Sequence, residues 1–202
     1  MISTAVTCDT ADRVFRAKFH EIPLDHGYAV FSALSREFPW IHDNLSLGVH
    51  PIAGHKVSPG RIRSCSESRL VLRGREADLT RFDRLDGMAI GLERDEIRLE
   101  HESTVGLAPA SSLRSSIVLH GKHKELGPFR ESLARVVGEL WPSGRLAVGQ
   151  RRVIRIKGRM IVGYAVVVTG LSDRDSILLQ ADGLGGRHRM GCGVMVPAKE
   201  ER

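Results

Sequence analysis

Aromatic residues, cysteines and long apolar runs are all scarce in this sequence, and each scarcity narrows the class of protein. Phe, Trp and Tyr make up 5% of the 202 residues, so stacking of nucleobases on a broad aromatic platform is expected to be minor. The 3 cysteines are widely spaced and odd in number, which argues against a disulfide framework and against a Cys-x-x-Cys metal pair. No apolar run approaches the ~20 residues that a membrane-spanning helix needs.

Several motifs of other protein classes are also missing. Residues 1–13 lack the charged and then apolar regions of a secretory signal peptide, which favours a cytoplasmic, reduced protein. A His-x-x-x-His pair, a cysteine cluster and a carboxylate constellation are absent, so we expect no metal. Neither a Gly-x-Gly-x-x-Gly fingerprint nor a Walker lysine followed by Ser or Thr is present, so we expect no cofactor. A nucleotide-binding metabolic enzyme is therefore disfavoured.

Positive charge is concentrated in the C-terminal half of the chain. Residues 101–202 contain 16 Lys and Arg against 9 Asp and Glu, whereas residues 1–100 contain 14 against 15. A basic face attracts phosphate backbones and releases their counterions. A net charge of +6 is also ordinary for solubility alone, so charge by itself leaves both interpretations open.

A glycine-rich segment lies in the same basic half. Residues 183–193 read GLGGRHRMGCG, two Gly-x-Gly pairs that enclose Arg187 and Arg189. Glycine lets the main chain turn sharply and lets its N–H groups approach a ligand, while arginine forks suit phosphate. We therefore predict RNA binding by this loop, through Gly183, Gly185, Gly186, Arg187, His188, Arg189, Gly191 and Gly193.

In residues 1–100 the apolar pattern predicts short strands around one clear helix. Asp25 is predicted to cap a helix over residues 26–37, whose apolar side chains share one face. A weaker helix is predicted near Ala77. The predicted strands cover residues 13–20, 49–52, 61–65, 70–73 and 90–99.

In residues 101–202 the predicted order is strand, helix, two strands, helix and strand. Ser172 and Asp175 resemble a capping box at the start of the second helix, and Gly183 closes it. Alternating short elements of this kind favour an α+β fold with helices on one face of an antiparallel sheet. The predicted elements cover residues 116–119, 128–140, 151–156, 160–168, 172–180 and 194–197.

The glycine-rich segment has the spacing of a family signature. The chain resembles the CRISPR-associated endoribonucleases of the RAMP superfamily that cut CRISPR repeat RNA (the Cas-six family). Their signature is Gly-hydrophobic-Gly, five residues with at least one Lys or Arg, and a second Gly-hydrophobic-Gly, and Cys192 stands here in an apolar slot. Residues 22–42 (IPLDHGYAVFSALSREFPWIH) and 157–180 (KGRMIVGYAVVVTGLSDRDSILLQ) are similar to the Myxan subtype of that family.

The resemblance implies a fold, an activity and partners. The fold is two tandem ferredoxin-like (RRM-like) βαββαβ domains with antiparallel sheets, residues 1–100 with the candidate catalytic histidines and residues 101–202 with the glycine-rich loop. The activity is metal-independent cleavage of CRISPR precursor RNA within the repeat, which leaves a 2′,3′-cyclic phosphate and a 5′-hydroxyl. The implied partners are precursor and mature guide RNA and other subunits of a CRISPR effector complex, without a membrane. The alternative is a non-catalytic RNA-binding subunit of the same superfamily.

Cleavage by a 2′-hydroxyl needs a base and an acid, and histidine titrates nearest to neutral pH. The resemblance makes His26, at the start of the first helix, the leading catalytic candidate and His42, after that helix, the second. The alternatives are a His26 tucked beside the core with its tautomer fixed by Asp25, and a His42 that is a polar loop residue. Tyr28 is the third candidate, with a half-buried core role as its alternative.

Basic residues outside the glycine-rich loop complete the predicted site. In the hairpin predicted at residues 151–168, alternation puts Arg151, Arg155 and Lys157 on one face, where they are predicted to bind RNA along its phosphate backbone. Any half-exposed strand shows such alternation, so this interpretation has an ordinary alternative. Candidate charge stabilisers near the histidines, each with surface solvation as its alternative, are Lys18, Lys56 and Arg61.

Overall fold

The computed structural model describes residues 8–198, whose first part forms a five-stranded antiparallel sheet. The elements of this part are β1 (Thr10–Lys18), β2 (Ile22–Pro23), α1 (Gly27–Glu37), β3 (Gly48–Val49), β4 (His55–Ser58), β5 (Arg61–Arg63), β6 (Arg69–Arg75), α2 (Glu76–Leu79), β7 (Ala89–Leu92) and β8 (Asp95–Gly106). The order across the five-stranded sheet is β3-β6-β1-β8-β7, and a small second sheet has the order β2-β5-β4.

The second part of the chain forms a four-stranded antiparallel sheet with two helices. Its order is β10-β11-β9-β12, so β10 lies at one edge. The elements are β9 (Ser112–Val118), α3 (Leu126–Leu140), β10 (Arg145–Ile156), β11 (Arg159–Thr169), α4 (Asp173–Asp182) and β12 (Val196–Pro197).

The two parts repeat one topology. In each, the first and third strands of a βαββαβ unit are neighbours, the second strand flanks the third, and the fourth flanks the first. In the first part β1, β3, β6 and β8 are these strands, and β7 extends the sheet beyond β8. The predicted α+β class with tandem ferredoxin-like folds and antiparallel sheets is therefore confirmed.

Several predicted element boundaries differ from the structure. The apolar run predicted as one strand over residues 90–99 is a hairpin, in which Ile90 of β7 pairs with Ile97 of β8. Strand β8 also continues to Gly106, so a single strand crosses the division predicted at residue 100. The two-domain division itself stays a prediction. The short strands β2 and β4 were missed, because neither segment has an alternating apolar pattern.

Each part has its own apolar core beneath its helices. Phe15 and Leu34 are fully buried in the first core, where the apolar stripe of α1 packs on the sheet. Phe129 and Leu133 anchor α3 in the second core. Burial of each such side chain contributes about 1.5–3 kcal/mol.

A buried arginine joins the two parts. Arg73 on β6 donates from Nη1 to the carbonyl oxygens of Met195 at 2.6 Å and of Gln180 at 3.1 Å. Its side chain is only 4% exposed, and Asp12 neutralises it from β1. The contact fixes the end of α4 and the approach to β12 against the first sheet.

Candidate functional site

The glycine-rich loop, residues 183–193, uses its glycines for tight turns and close approach. Gly185 and Gly193 have φ values of 82° and 66°, in the region that favours glycine. A Cβ atom at Gly185 would lie 2.3 Å from the carbonyl oxygen of Leu119, and one at Gly193 would lie 2.1 Å from that of Leu184. Larger residues are therefore excluded at both positions.

Most main-chain amides of this loop are occupied within the protein. Gly186 donates to the carbonyl of Leu119 at 3.0 Å, and Gly193 donates to that of Ile117 at 2.7 Å. The other loop amides that donate to protein carbonyls are those of Gly183, Leu184, Met190, Gly191 and Cys192. These seven amides are therefore used by the end of α4, by the loop itself and by the end of β9. The contact of the loop with RNA phosphate stays a prediction for its other donors.

The three basic side chains of the loop have different surroundings. Arg187 is exposed and follows a left-handed turn with φ 67°. Arg189 instead donates to the carbonyl oxygens of Ile41, at 2.7 Å, and of His42. The ring of His188 folds back over the loop, within 2.8 Å of the position that a Cβ at Gly183 would take. Only Arg187 thus has the open position predicted for an RNA contact.

Cys192 fills the apolar slot of the second Gly-x-Gly pair. It is fully buried with Ile117 and Leu119, and the partly buried Ile154 and Ile161 pack around them. Burial raises the pKa of this thiol to about 12, so it stays protonated near neutral pH. Its role is packing beneath the loop.

The loop docks onto the first turn of α1. A Cβ atom at Gly27 would lie 2.2 Å from the carbonyl oxygen of Met190, so the helix and the loop are in backbone contact. In the same region, a Cβ atom added at Gly191 would lie 3.4 Å from Cγ of Pro51. The C-terminal loop therefore sits directly beside the helix that separates the two candidate histidines.

His26 is held by both of its ring nitrogens. Nδ1 lies 3.0 Å from the carbonyl oxygen of Pro23, and the amide of Ile52 donates to Nε2 at 2.9 Å. These bonds require the tautomer with the proton on Nδ1. The residue is 4% exposed, and its burial lowers the pKa of the imidazole, against the raising effect of the Pro23 carbonyl. The ring is therefore neutral near pH 7.

Asp25 does not cap α1 as predicted. The N-cap of the helix is His26, and no side chain caps it. The Oδ2 atom of Asp25 instead accepts a 2.6 Å hydrogen bond from the main-chain amide of Arg155 on β10. This tertiary bond, between residues far apart in the sequence, displaced the local capping bond that the pattern favoured.

His42 lies on the surface, close to the docked loop. Its ring packs edge-on against Phe31, with centroids 5.3 Å apart, and no hydrogen bond to its ring nitrogens occurs within residues 8–198. His26 immediately precedes α1, whereas the ring of His42 contacts Phe31, about one turn further along the helix. Tyr28 is half-buried against the first core, as its alternative interpretation has it.

A cleft of about 550 Å³ separates the two parts beside His26. Its walls are mainly apolar, and its charged residues are Asp25, Lys56 and Arg152. Ser116 adds a hydroxyl from β9. Of the three predicted charge stabilisers, only Lys56 lines the cleft. Lys18 bonds Glu100 at 2.8 Å and Arg61 bonds Asp95 at 2.7 Å, so both are committed to ion pairs.

The hairpin of β10 and β11 presents basic residues on both faces. Arg151, Arg155 and Lys157 are exposed, as an RNA-contacting role requires. The opposite face carries Arg152 and Ile154, which line the cleft together with Val153. The alternation in the sequence assigns the residues of β10 to two faces of the hairpin. It does not indicate which of these faces lies toward the first part of the chain. Arg152 was therefore missed.

No helix within residues 8–198 is long and apolar enough to cross a membrane. Within the same residues, no group of three or more His, Cys, Asp or Glu side chains is arranged to hold a metal ion.

Comparison with known proteins gives concordant matches along the chain. The family model described as Cas6 Crispr matches residues 11–200. A protein of Myxococcus xanthus (strain DK1622), named CRISPR-associated endonuclease Cas6, is 32% identical over 187 residues, 92% of this chain and 80% of that protein. A solved structure titled CRISPR associated protein Cas6 has a TM-score of 0.67 at 13% identity, covering 94% of this chain and 100% of its own. A Cas6-related protein from Pyrococcus furiosus has a TM-score of 0.62 at 12% identity, covering 95% and 100%.

Proposed function

Since this chain belongs to the Cas6 family of CRISPR-associated proteins, we propose that it is a metal-independent endoribonuclease that cuts CRISPR precursor RNA within the repeat. The products are mature guide RNAs with a 2′,3′-cyclic phosphate at one new end and a 5′-hydroxyl at the other. The proposed partners are the precursor RNA, the guide RNA and other subunits of a CRISPR effector complex.

One contact carries this proposal, the docking of the glycine-rich loop onto the first turn of α1. It brings the backbone of Met190 against Gly27, the residue that follows His26, and Arg189 of the same loop binds the main chain of His42. The exposed Arg187 projects from the same loop. An RNA that lies along the loop therefore passes close to groups that can transfer protons.

The reaction needs four events at the scissile phosphate. A base removes the proton of the 2′-hydroxyl, and the 2′-oxygen then attacks the adjacent phosphorus. Positive charge offsets the negative charge on the phosphorane, and an acid donates a proton to the leaving 5′-oxygen. All of these steps can be carried out by side chains and the RNA itself.

We propose His42 as the group that exchanges a proton with the RNA. Its ring is exposed and open to a ligand, whereas both nitrogens of His26 are already hydrogen-bonded. Arg189 binds the main chain of Ile41 and His42, which fixes this histidine relative to the loop. Tyr28 remains a proposed ligand of the 2′-hydroxyl or the phosphate.

We propose His26 as a positioning residue at the floor of the cleft. By bonding Pro23 and Ile52 it holds the segments before and after α1 together, and with them the cleft wall. Lys56 and Arg152 line the same cleft from opposite parts of the chain and are the proposed sources of positive charge. The basic hairpin, with Arg151, Arg155 and Lys157, is the proposed support for the RNA backbone.

The test is incubation of the purified protein with end-labelled repeat RNA in EDTA. The proposal is supported by a product with a 2′,3′-cyclic phosphate end, identified because acid or a 2′,3′-cyclic phosphodiesterase opens it to a phosphate monoester. RNA that is bound but stays intact overturns the enzymatic part and leaves a non-catalytic RNA-binding subunit. Cleavage that disappears in EDTA and returns with a divalent cation contradicts the metal-independent chemistry.

A further inference from the structure

The turn between β9 and α3 is a second concentration of basic side chains, outside the loop and hairpin already discussed. Residues 120–125 read HGKHKE and contain two histidines and two lysines against one acid. Lys122, His123 and Lys124 are exposed, and His120 is half-buried. A turn of this composition presents several cations to solvent on a few residues of chain.

This turn is anchored by two side-chain hydrogen bonds and bends sharply at Gly121. The hydroxyl of Tyr164 donates to the carbonyl oxygen of Lys124 at 2.8 Å, and Nε2 of His120 lies 2.9 Å from Oγ of Ser132. Gly121 has a φ of 56°, and a Cβ there would lie 3.3 Å from the ring of His123. The basic side chains are therefore presented from a defined backbone.

The turn is continuous with the glycine-rich loop. Leu119, immediately before it, accepts the amide of Gly186 at 3.0 Å and lies against Gly185 in a contact that only glycine permits. Arg187, the exposed arginine of the loop, directly follows Gly186. The cations of the turn and of the loop thus emerge from two backbones in direct contact.

We propose that Lys122, His123 and Lys124 form, with Arg187, one phosphate-binding surface for the RNA, which His120 holds in place through Ser132. The inference rests on the proposed RNA-binding function and extends the RNA path from the loop toward the start of α3. The surface reads phosphates rather than bases, because its exposed donors are cationic side chains and aromatic platforms are scarce in the chain. Contacts of this kind raise affinity, increase its salt dependence and leave the chemical step unaltered.

The test compares two variants that each lose two positive charges. Lys122→Gln with Lys124→Gln removes charge from the turn. Arg145→Gln with Arg174→Gln is the matched control, because both arginines are exposed and lie away from the turn. Arg145 begins β10 at the end of the sheet where β9 starts, and Arg174 is in the first turn of α4, shortly after β11 ends there. The six residue steps of β9 separate the two ends by roughly 20 Å. The probe is 2′-O-methylated repeat RNA, which keeps its phosphates but has no nucleophilic 2′-hydroxyl.

We expect the turn variant to weaken binding roughly 3- to 30-fold at about 0.15 M salt and to lower the slope of log K against log salt by about two. The control variant should keep both values. The proposal is overturned if RNA affinity falls equally in the two variants, because such a result reports long-range charge alone. It is also overturned if the salt slope of the turn variant is unchanged. An unchanged RNA affinity combined with lost binding to an effector subunit also overturns it, in favour of an acidic protein partner.

The cleavage assay separates this inference from the proposed activity. If the wild-type protein cuts unmodified repeat RNA and the turn variant binds RNA normally, only the phosphate surface fails. If the wild-type protein does not cut but the turn variant loses slope, the surface stands and the endonuclease assignment fails. Matching thermal transitions of the two variants confirm that both are folded.

Discussion

Asp12 on β1 accepts two parallel hydrogen bonds of 2.7 Å from Nε and Nη2 of Arg73 on β6. The pair lies where the first sheet meets the second part of the chain, and the remaining donor of Arg73 binds carbonyls of that second part. One buried ion pair therefore has two tasks, to neutralise a charge and to hold the two parts together.

Replacing Arg73 should strongly destabilise the protein. Arg73→Met leaves the Asp12 carboxylate partly buried without its counter-charge and leaves two carbonyls unpaired, so the free energy of unfolding should fall by about 3–5 kcal/mol. Urea unfolding measures this change. In the control, Arg73→Met combined with Asp12→Leu, part of the loss should be recovered. The pairing is contradicted if the double variant is less stable than Arg73→Met alone, so that the losses from the two substitutions simply add.

Acid should destabilise the fold through the same carboxylate. Burial alone would raise the pKa of Asp12, but the hydrogen bonds from Arg73 and the neighbouring His50 overcome it and hold this pKa well below its ordinary value. Unfolded Asp titrates near pH ~3.9, so this stabilisation is complete above about pH 4 and is lost as the pH falls toward the folded pKa. Thermal transitions between about pH 5 and pH 2 should fall more steeply in the wild-type protein than in Asp12→Asn. Parallel pH profiles would falsify this assignment.

The two candidate histidines should behave differently when replaced. His42→Ala should lower single-turnover cleavage about 10²- to 10⁴-fold with unchanged thermal stability and RNA affinity, because an exposed proton-transfer group is lost. His26→Ala should lower stability by about 1–3 kcal/mol for each buried partner it leaves unpaired, Pro23 and Ile52. Cleavage and melting of both variants are measured side by side. Full activity in His42→Ala, with a stable but inactive His26→Ala, would return the catalytic role to His26.

A single methyl group on α1 should disrupt the docking of the loop. Gly27→Ala places a carbon 2.2 Å from the carbonyl oxygen of Met190, so the loop must move and we expect a loss of about 1–3 kcal/mol. Gly138→Ala on α3 is the control, because a Cβ there meets no atom within 4 Å. It should stabilise the protein by up to ~1 kcal/mol through helix propensity. Chemical denaturation compares them, and stabilisation by both changes would contradict the docked geometry.

Replacement of Arg187 should affect RNA binding alone, whereas replacement of Arg189 should affect the stability of the fold. Arg187→Gln should reduce the salt slope of RNA binding by about one and leave the melting temperature unchanged, because this side chain is exposed. Arg189→Gln removes the hydrogen bonds to Ile41 and His42, so it should lower both stability and cleavage. Titrations at several salt concentrations, with melting curves, test the pair. Identical behaviour of the two variants argues against the division.

Local patterns predicted the elements well and the site less well. Helix α3 and the hairpin of β10 and β11 were predictable because their apolar periodicity and turn are encoded within a few residues. The role of Asp25 was not, because the amide that it binds belongs to Arg155, which only the fold brings near. The same holds for Arg152 and Arg189, whose directions depend on how the two parts pack. The glycines of the loop were recognised correctly. Gly185 and Gly193 permit close packing, and the phosphate contact predicted for the loop stays a prediction.

The hydrogen bond from Arg155 to Asp25 also bears on self-association. Strand β10 is the outermost of its sheet, and an outer strand with vacant main-chain donors invites a strand from another molecule. Asp25 occupies one of these donors with a negative charge, and the arginines along β10 repel a second copy of the same strand. The outer edge of the second sheet is therefore partly covered from within the molecule and otherwise positively charged, which disfavours its pairing with the same edge of a second copy.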